Sequence, residues 1–211
     1  RDLVRSRGLG DVYKRQTIIL FVITLVAGIC LGTVHDITLD PIAQAQEAAA
    51  TKTYQEVYPD AASFDEPQEL ADAVTAAADS ISEWGFGKVT INDAKEALDA
   101  SGNQIGYLIT STSAESYGGN VQIAVGITNE GELTGIGFLS ISDTPGLGMR
   151  AKEPDFKDQF IGKKAENLEV TKTGASADNQ IEAISGATIT SKAVTNATDA
   201  AIYFVANCLA Q

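Results

Sequence analysis

Three short segments gather small, hydroxylated and glycine residues in a chain otherwise poor in reactive groups. Ser185–Gly186–Ala187–Thr188–Ile189–Thr190–Ser191 leads into a C-terminal helical stretch. Asp143–Thr144–Pro145–Gly146–Leu147–Gly148 follows a strand-like run, and Ser116–Tyr117–Gly118–Gly119 precedes another. The first has the chemistry of an anion cradle. Small residues let a ligand approach the backbone, and the free N–H groups of a helix N-terminus favour negative charge. The hydroxyls of Ser185, Thr188, Thr190 and Ser191 add donors and Lys192 adds a positive charge, a set suited to phosphate. The same residues also satisfy ordinary capping, in which Ser185 or Thr188 does no more than close the helix end. The other two segments are weaker signals, since Pro145–Gly146 and Gly118–Gly119 also suit plain turns.

Other chemistries fail for want of residues. Neither G-x-x-x-x-G-K-[ST] nor G-x-G-x-x-G occurs, so the common nucleotide loops are excluded. The single histidine, His35, lies at the edge of an apolar run, so no Ser–His pair forms in the acidic body. One histidine and two cysteines, Cys30 and Cys208, supply neither a zinc site nor a disulfide framework. No catalytic acid or base and no metal ligand set is expected.

The elements that must position these loops follow from period and composition. Val194, Ala197, Ala201, Ile202, Val205 and Leu209 form one apolar stripe on a helix over Thr188–Leu209, with Thr198 its one polar member. Gln104–Ser113, Asn120–Asn129 and Glu132–Ser142 read as a three-stranded meander, the last two joined at Asn129–Glu130–Gly131. Leu168–Thr173 reads as a further strand and Pro154–Phe160 as a short helix. Pro67–Ser80 and Asp93–Ala100 have helical composition, with Asn92 a cap for the second, and Ala61–Glu66 reads as a linker. The expectation is an α+β fold: one N-terminal transmembrane helix, then a domain whose antiparallel sheet is packed by helices.

Charge is segregated along the 211 residues. Residues 1–16 carry five basic and two acidic side chains, residues 17–34 none, and residues 35–211 a net charge of -16. A basic end, an apolar run and an acidic body describe a membrane-anchored protein. The acidic body argues against nucleic acid, which requires clustered Lys and Arg. Thr17–Val34 spans about 27 Å as a helix, the short end of a bilayer crossing. Ala43–Gln44–Ala45 offers a signal-peptidase site, but the apolar run is long for a signal and Asp36, Asp40 and Pro41 intervene, so an uncleaved anchor is expected. Asp40–Pro41 reads as the start of a juxtamembrane helix over Ile42–Val57, stopped at Tyr58–Pro59. The only methionine is Met149, and Arg1–Gln16 has no helical or strand period. It resembles a spurious translation at the end of a reading frame, with a genuine cytoplasmic tail as the alternative. The expected division is therefore a non-native tail (1–16), a membrane helix (17–34), a juxtamembrane helix and linker (35–65) and an acidic folded domain (66–211).

Taken together, these segments resemble the G subunit of the Rnf electron-transport complex and its relative, the C subunit of the sodium-pumping NADH:quinone oxidoreductase. The resemblance runs from about Thr17 to the C-terminus and rests on the anchor with Asp40–Pro41–Ile42, Tyr117–Gly118–Gly119, Thr144–Pro145–Gly146–Leu147–Gly148 and Ser185–Gly186–Ala187–Thr188. A length near 195 residues without the tail favours the Rnf protein. The resemblance implies an FMN-binding domain outside the cytoplasm of a single-pass membrane protein. It further implies that a flavin transferase attaches FMN through a phosphodiester to Thr188, with Ser185, Gly186, Ala187 and Thr190 around it. Tyr117, Gly118, Gly119, Thr144, Gly146, Leu147 and Gly148 complete the cofactor site, and Tyr117, Leu147 and Met149 are the implied contacts to the flavin ring. Glu182 stands where the family has an aspartate, and Asp143 where it has a glutamate. The implied work is electron relay among the membrane subunits of an ion-translocating ferredoxin:NAD+ oxidoreductase. Two alternatives stay open: a non-redox anchored module for a phosphate-bearing ligand, and a stand-alone flavinylated protein of another extracellular electron route.

Overall fold

A computed structural model describes residues 2–164 and 167–209, with side chains from residue 12 onward. Its first element, α1 (Asp2–Val57), is one unbroken helix. The part through Ala48 forms one unit and the chain from Ala49 onward another. Residues 18–34 of α1 are exposed and apolar, long enough as a helix to cross a membrane.

Two expectations about α1 need correction. Residues 2–16 are helical despite their lack of period. Extending a nucleated helix costs far less than starting one, so a weak sequence follows a strong neighbour. Pro41 does not begin a second helix but lies inside the first. It removes one backbone donor, and the ladder continues past it to Val57, where helix termination was expected.

The second unit is built on a five-stranded antiparallel meander, β1 (Ser63–Asp65), β2 (Val89–Leu98), β3 (Gln104–Ser116), β4 (Gly119–Thr128) and β5 (Leu133–Ile141), adjacent in chain order. The last three are the expected strands. The first two correct the sequence reading: Ala61–Glu66 holds a short edge strand, and Asp93–Ala100 is strand through Leu98, not helix. Pairing against Gln104–Ile109 overrides the helical propensity of Ala-Lys-Glu-Ala-Leu. A bulge at Asn92 shifts the alternation, so that Val89 and Ile91 before it and Ala94 after it share the main core, while Ala97 is buried on the opposite face with Tyr58 and Ala61. Asn92 caps nothing; its Oδ1 accepts from the Thr112 hydroxyl at 2.6 Å.

Helix α2 (Gln68–Ala77) forms as expected. Helix α3 (Pro154–Lys157) and the 3-10 turn Asp158–Phe160 replace a single short helix. Strand β6 (Glu169–Thr171) pairs in parallel with β7 (Gln180–Glu182), a strand without a sequence signal of its own. Helix α4 (Thr188–Phe204) ends in one π turn, Val205–Leu209.

Two faces of the sheet are covered. Helix α4 packs on one, and its Ala193, Ala197, Ala200 and Ala201 are buried. Their small side chains allow a close approach, at which the Ser111 hydroxyl on β3 donates to the Ala197 carbonyl at 2.9 Å. Val57 at the end of α1 packs with Leu108 and Ala124 on the other face. A Cβ at Gly137 would meet Thr53 and Val57, so this glycine lets the helix end lie against the strand. Phe160 and Phe204 are fully buried, each contributing about 1.5–3 kcal/mol of apolar burial.

Candidate functional site

Helix α4 opens with Thr188, preceded by Ala187 as its cap residue. Alanine brings no side-chain acceptor, and the first helical N–H to bond back is that of Ser191, to the Ala187 carbonyl at 3.0 Å. The N–H groups of Thr188, Ile189 and Thr190 are thus left at an uncapped helix end, which favours an anion. The capping alternative for Ser185 and Thr188 is not realised, since neither hydroxyl caps the helix. Thr188 is half-exposed and Ser185 exposed. Gly186 turns the chain into the helix at φ +80°, a left-handed conformation that glycine adopts without steric cost.

The four hydroxyls of the segment divide into two pairs. Ser191 is buried; its Oγ accepts from the Ile184 N–H and donates to the Ala187 carbonyl, both at 3.0 Å. Thr190 is also buried and donates to Asp143 Oδ2 at 2.6 Å. Both therefore brace the loop, the Thr190 hydroxyl being taken up by Asp143. Ser185 and Thr188 remain open. Lys192 is exposed one turn further along.

The other two segments converge on the same helix end. Asp143 Oδ2 accepts from the Ser116 hydroxyl at 2.7 Å, and Oδ1 from the Thr144 N–H at 2.7 Å. Burial pushes the Asp143 carboxyl up, but the donors from Thr190, Ser116, Thr144 and Gly118 outweigh it and hold the group below the ordinary range. A Cβ on Gly148 would collide with this carboxylate, and one on Gly118 with the Ser142 carbonyl. Leu147 lies over Gly186, where an added Cβ would stand 3.1 Å from Leu147 Cδ2. The loops carrying Tyr117–Gly118–Gly119, Thr144–Gly148 and Ser185–Thr188 are thereby joined.

Exposure separates the apolar members. Tyr117 and Leu147 are 72% and 43% exposed, and Ile189, which the sequence did not single out, is 54% exposed. Met149 is half-buried and packs on the main core, so it does not share their position. Ser116 and Asp143 lie in segments that the sequence singled out, Asp143 as the counterpart of the family glutamate, but neither was expected as a site residue. A lone acid at the entrance to a turn was the available signal for Asp143. Beside Ser185 a cavity of about 280 Å³ is lined by Arg150, Phe156, Gln159 and Glu182 among others. Gln159 fixes β7 there: its Oε1 accepts from the Glu182 N–H at 2.7 Å, and its Nε2 donates to the Glu182 carbonyl at 3.3 Å. No group of His, Cys, Asp or Glu among the described residues forms a metal site.

Comparison with known proteins places this arrangement. Residues 116–203 match the FMN-binding domain family, a span that contains all three loops. The chain is 35% identical over 198 residues to the G subunit of the Na(+)-translocating ferredoxin:NAD(+) oxidoreductase complex of Acetobacterium woodii, covering 90% of each. It is 35% identical over 126 residues to the G subunit of the proton-translocating ferredoxin:NAD(+) oxidoreductase complex of Clostridium ljungdahlii, covering 54% of this chain and 67% of that one. Among solved structures, NqrC of Shewanella oneidensis aligns at 19% identity and TM-score 0.44 over 53% of this chain and 54% of that one. The C subunit of the Na(+)-translocating NADH-quinone reductase of Parabacteroides distasonis aligns at 19% identity and TM-score 0.42, over 68% and 95%. By its identity and coverage to the Acetobacterium protein, the chain belongs to the family of G subunits of ion-translocating ferredoxin:NAD(+) oxidoreductase complexes.

Proposed function

We propose that this chain is the FMN-bearing electron-carrier subunit of such a complex, with FMN held as a phosphodiester on Thr188. The observation that carries the reading is the open Thr188 hydroxyl at the first position of an uncapped helix, inside a ring of three glycine-bearing loops. The residues fit the group. A phosphodiester retains one negative charge, which the Thr188–Thr190 N–H groups stabilise. Tyr117, Leu147 and Ile189 offer exposed apolar surface for an aromatic ring. Bound FMN supplies reversible electron transfer, so the chain needs no acid–base machinery of its own.

Attachment uses a flavin transferase and FAD. The Thr188 Oγ–phosphorus bond forms, the pyrophosphate bond of FAD breaks, AMP leaves, and the hydroxyl proton passes to a base of the transferase. This chain contributes the acceptor oxygen and holds the loop that presents it.

The test is co-expression of the full chain with and without an active flavin transferase. A fluorescent band on a denaturing gel under ultraviolet light is expected only with it. No band despite active transferase would overturn the reading and leave a noncovalent phosphate-binding module. Co-purification with the other membrane proteins of the complex would separate a complex member from a stand-alone carrier. We also propose that the domain from Ala49 onward lies outside the cytoplasm. Protease added to the outer face of spheroplasts should cleave it, and complete protection would reverse that orientation.

A further inference from the structure

We infer that Asp143 is the positioning residue that assembles the three cofactor loops into one site, an inference that rests on the FMN reading for its functional half. The loops lie far apart in sequence, at 116–119, 143–148 and 185–190. Asp143 belongs to the second, accepts from the Ser116 hydroxyl in the first, and accepts from the Thr190 hydroxyl in the third. Among the described residues no other side chain hydrogen-bonds into all three. The carboxylate is buried, and its hydroxyl bonds at 2.6 and 2.7 Å have the length of charge-assisted bonds. Glycine at 148 follows from this tether, because any side chain there would strike the carboxyl group. Glycine at 118 does the same for the backbone crossing at Ser142. The carboxylate acts here through the protein groups it holds, the role of a positioning residue.

The tether makes the geometry of the Thr188 loop depend on residues 45 positions upstream. Thr190 is two residues beyond Thr188, so its anchoring orients the first turn of α4 against the Leu147 loop.

The experiment uses the full chain in detergent, prepared without transferase for hydrogen exchange and presented to transferase and FAD for attachment rates. In Asp143→Ala, exchange of the Gly118, Thr144, Met149 and Ala187 amides should rise at least about tenfold, the loss expected of charge-assisted bonds. The amides of Ile109 and Val125 in the sheet centre should not change. The initial rate of flavin attachment should fall on the order of a hundredfold, as for a misplaced reacting group. Asp143→Asn should lie between, because the Ser116 and Thr190 hydroxyls can reverse and accept from its amide. Ser116→Ala and Thr190→Val should each slow attachment in the native background and have no further effect in Asp143→Ala. Faster exchange confined to 143–149, a uniform rise across the sheet, or an unchanged attachment rate would each overturn the inference. If the wild-type chain accepts no flavin, the FMN reading falls, and the exchange measurements still decide whether the tether exists.

Discussion

Thr188→Ala is expected to eliminate covalently held flavin completely while leaving the fold as stable as before. The hydroxyl caps no helix and makes no bond that the fold requires. Alanine is a good helix former at the first helical position, so the stability change should stay within about 0.5 kcal/mol. The acceptor oxygen, by contrast, has no substitute. Thr190 and Ser191 are buried with their hydroxyls engaged, and Ser185 lies on the other side of the Gly186 turn, outside the helix. Thr188→Ser keeps the oxygen and should retain the fluorescent band. Thr190→Val should retain it too, at a slower rate. Intact-mass measurement and the ultraviolet gel read all three variants. A full-strength band in Thr188→Ala would move the linkage elsewhere, and loss of the band in Thr188→Ser with a normal melting curve would mean that the threonine methyl group is itself required.

What was legible in the sequence follows from where each signal is local. The stripe on α4 and the turn at Asn129–Gly131 are set by neighbours within a few residues, and both were readable. The site loops were readable for the same reason, since glycine and hydroxyl residues before a helix state their own backbone geometry. Strand β2 was not, because its burial depends on strand β3 and a bulge breaks its period. Its Ala-Lys-Glu-Ala segment looks helical until a partner strand is present. Thr190 and Thr188 are indistinguishable in composition. Their places on α4 separate them: Thr190 falls four and seven residues before Val194 and Ala197 on the buried stripe, Thr188 does not, and Asp143 then holds the inward hydroxyl. Gln159 is likewise invisible beforehand, as its partner is the backbone of Glu182. The family resemblance supplied the proposed flavin acceptor, and the three-dimensional contacts separated exposed loop residues from those that hold the loops.

Asp199→Asn should stabilise the domain above neutral pH and have little effect near pH 4. Asp199 is 3% exposed on α4, and its Oδ1 accepts the Leu168 N–H at 2.9 Å. Burial lifts its carboxyl to about 7, with that one N–H only partly opposing the rise. In the unfolded chain the group titrates near 3.8. Between these values the folded protein holds a proton that the unfolded chain has released, so stability falls as pH rises from about 4 to about 7 and is level above. The gap corresponds to roughly 4 kcal/mol, a large share of a domain's total. Asparagine keeps the acceptor for Leu168 and never ionises. The wild-type and variant curves should therefore meet at the acid end and diverge toward neutral pH. The lowered carboxyl of Asp143 acts in the opposite sense below about pH 4, common to both proteins, and cancels in the difference. Urea unfolding between pH 4 and 8 measures it, read by the fluorescence of Trp84, the single tryptophan, whose ring lies tilted against Tyr203 of α4 with centroids 4.8 Å apart. Parallel curves would show that water or local opening solvates the carboxylate. Divergence toward neutral pH would show that the folded domain holds the Asp199 proton well above the ordinary carboxylate range, at a cost in stability that asparagine avoids while keeping the Leu168 bond.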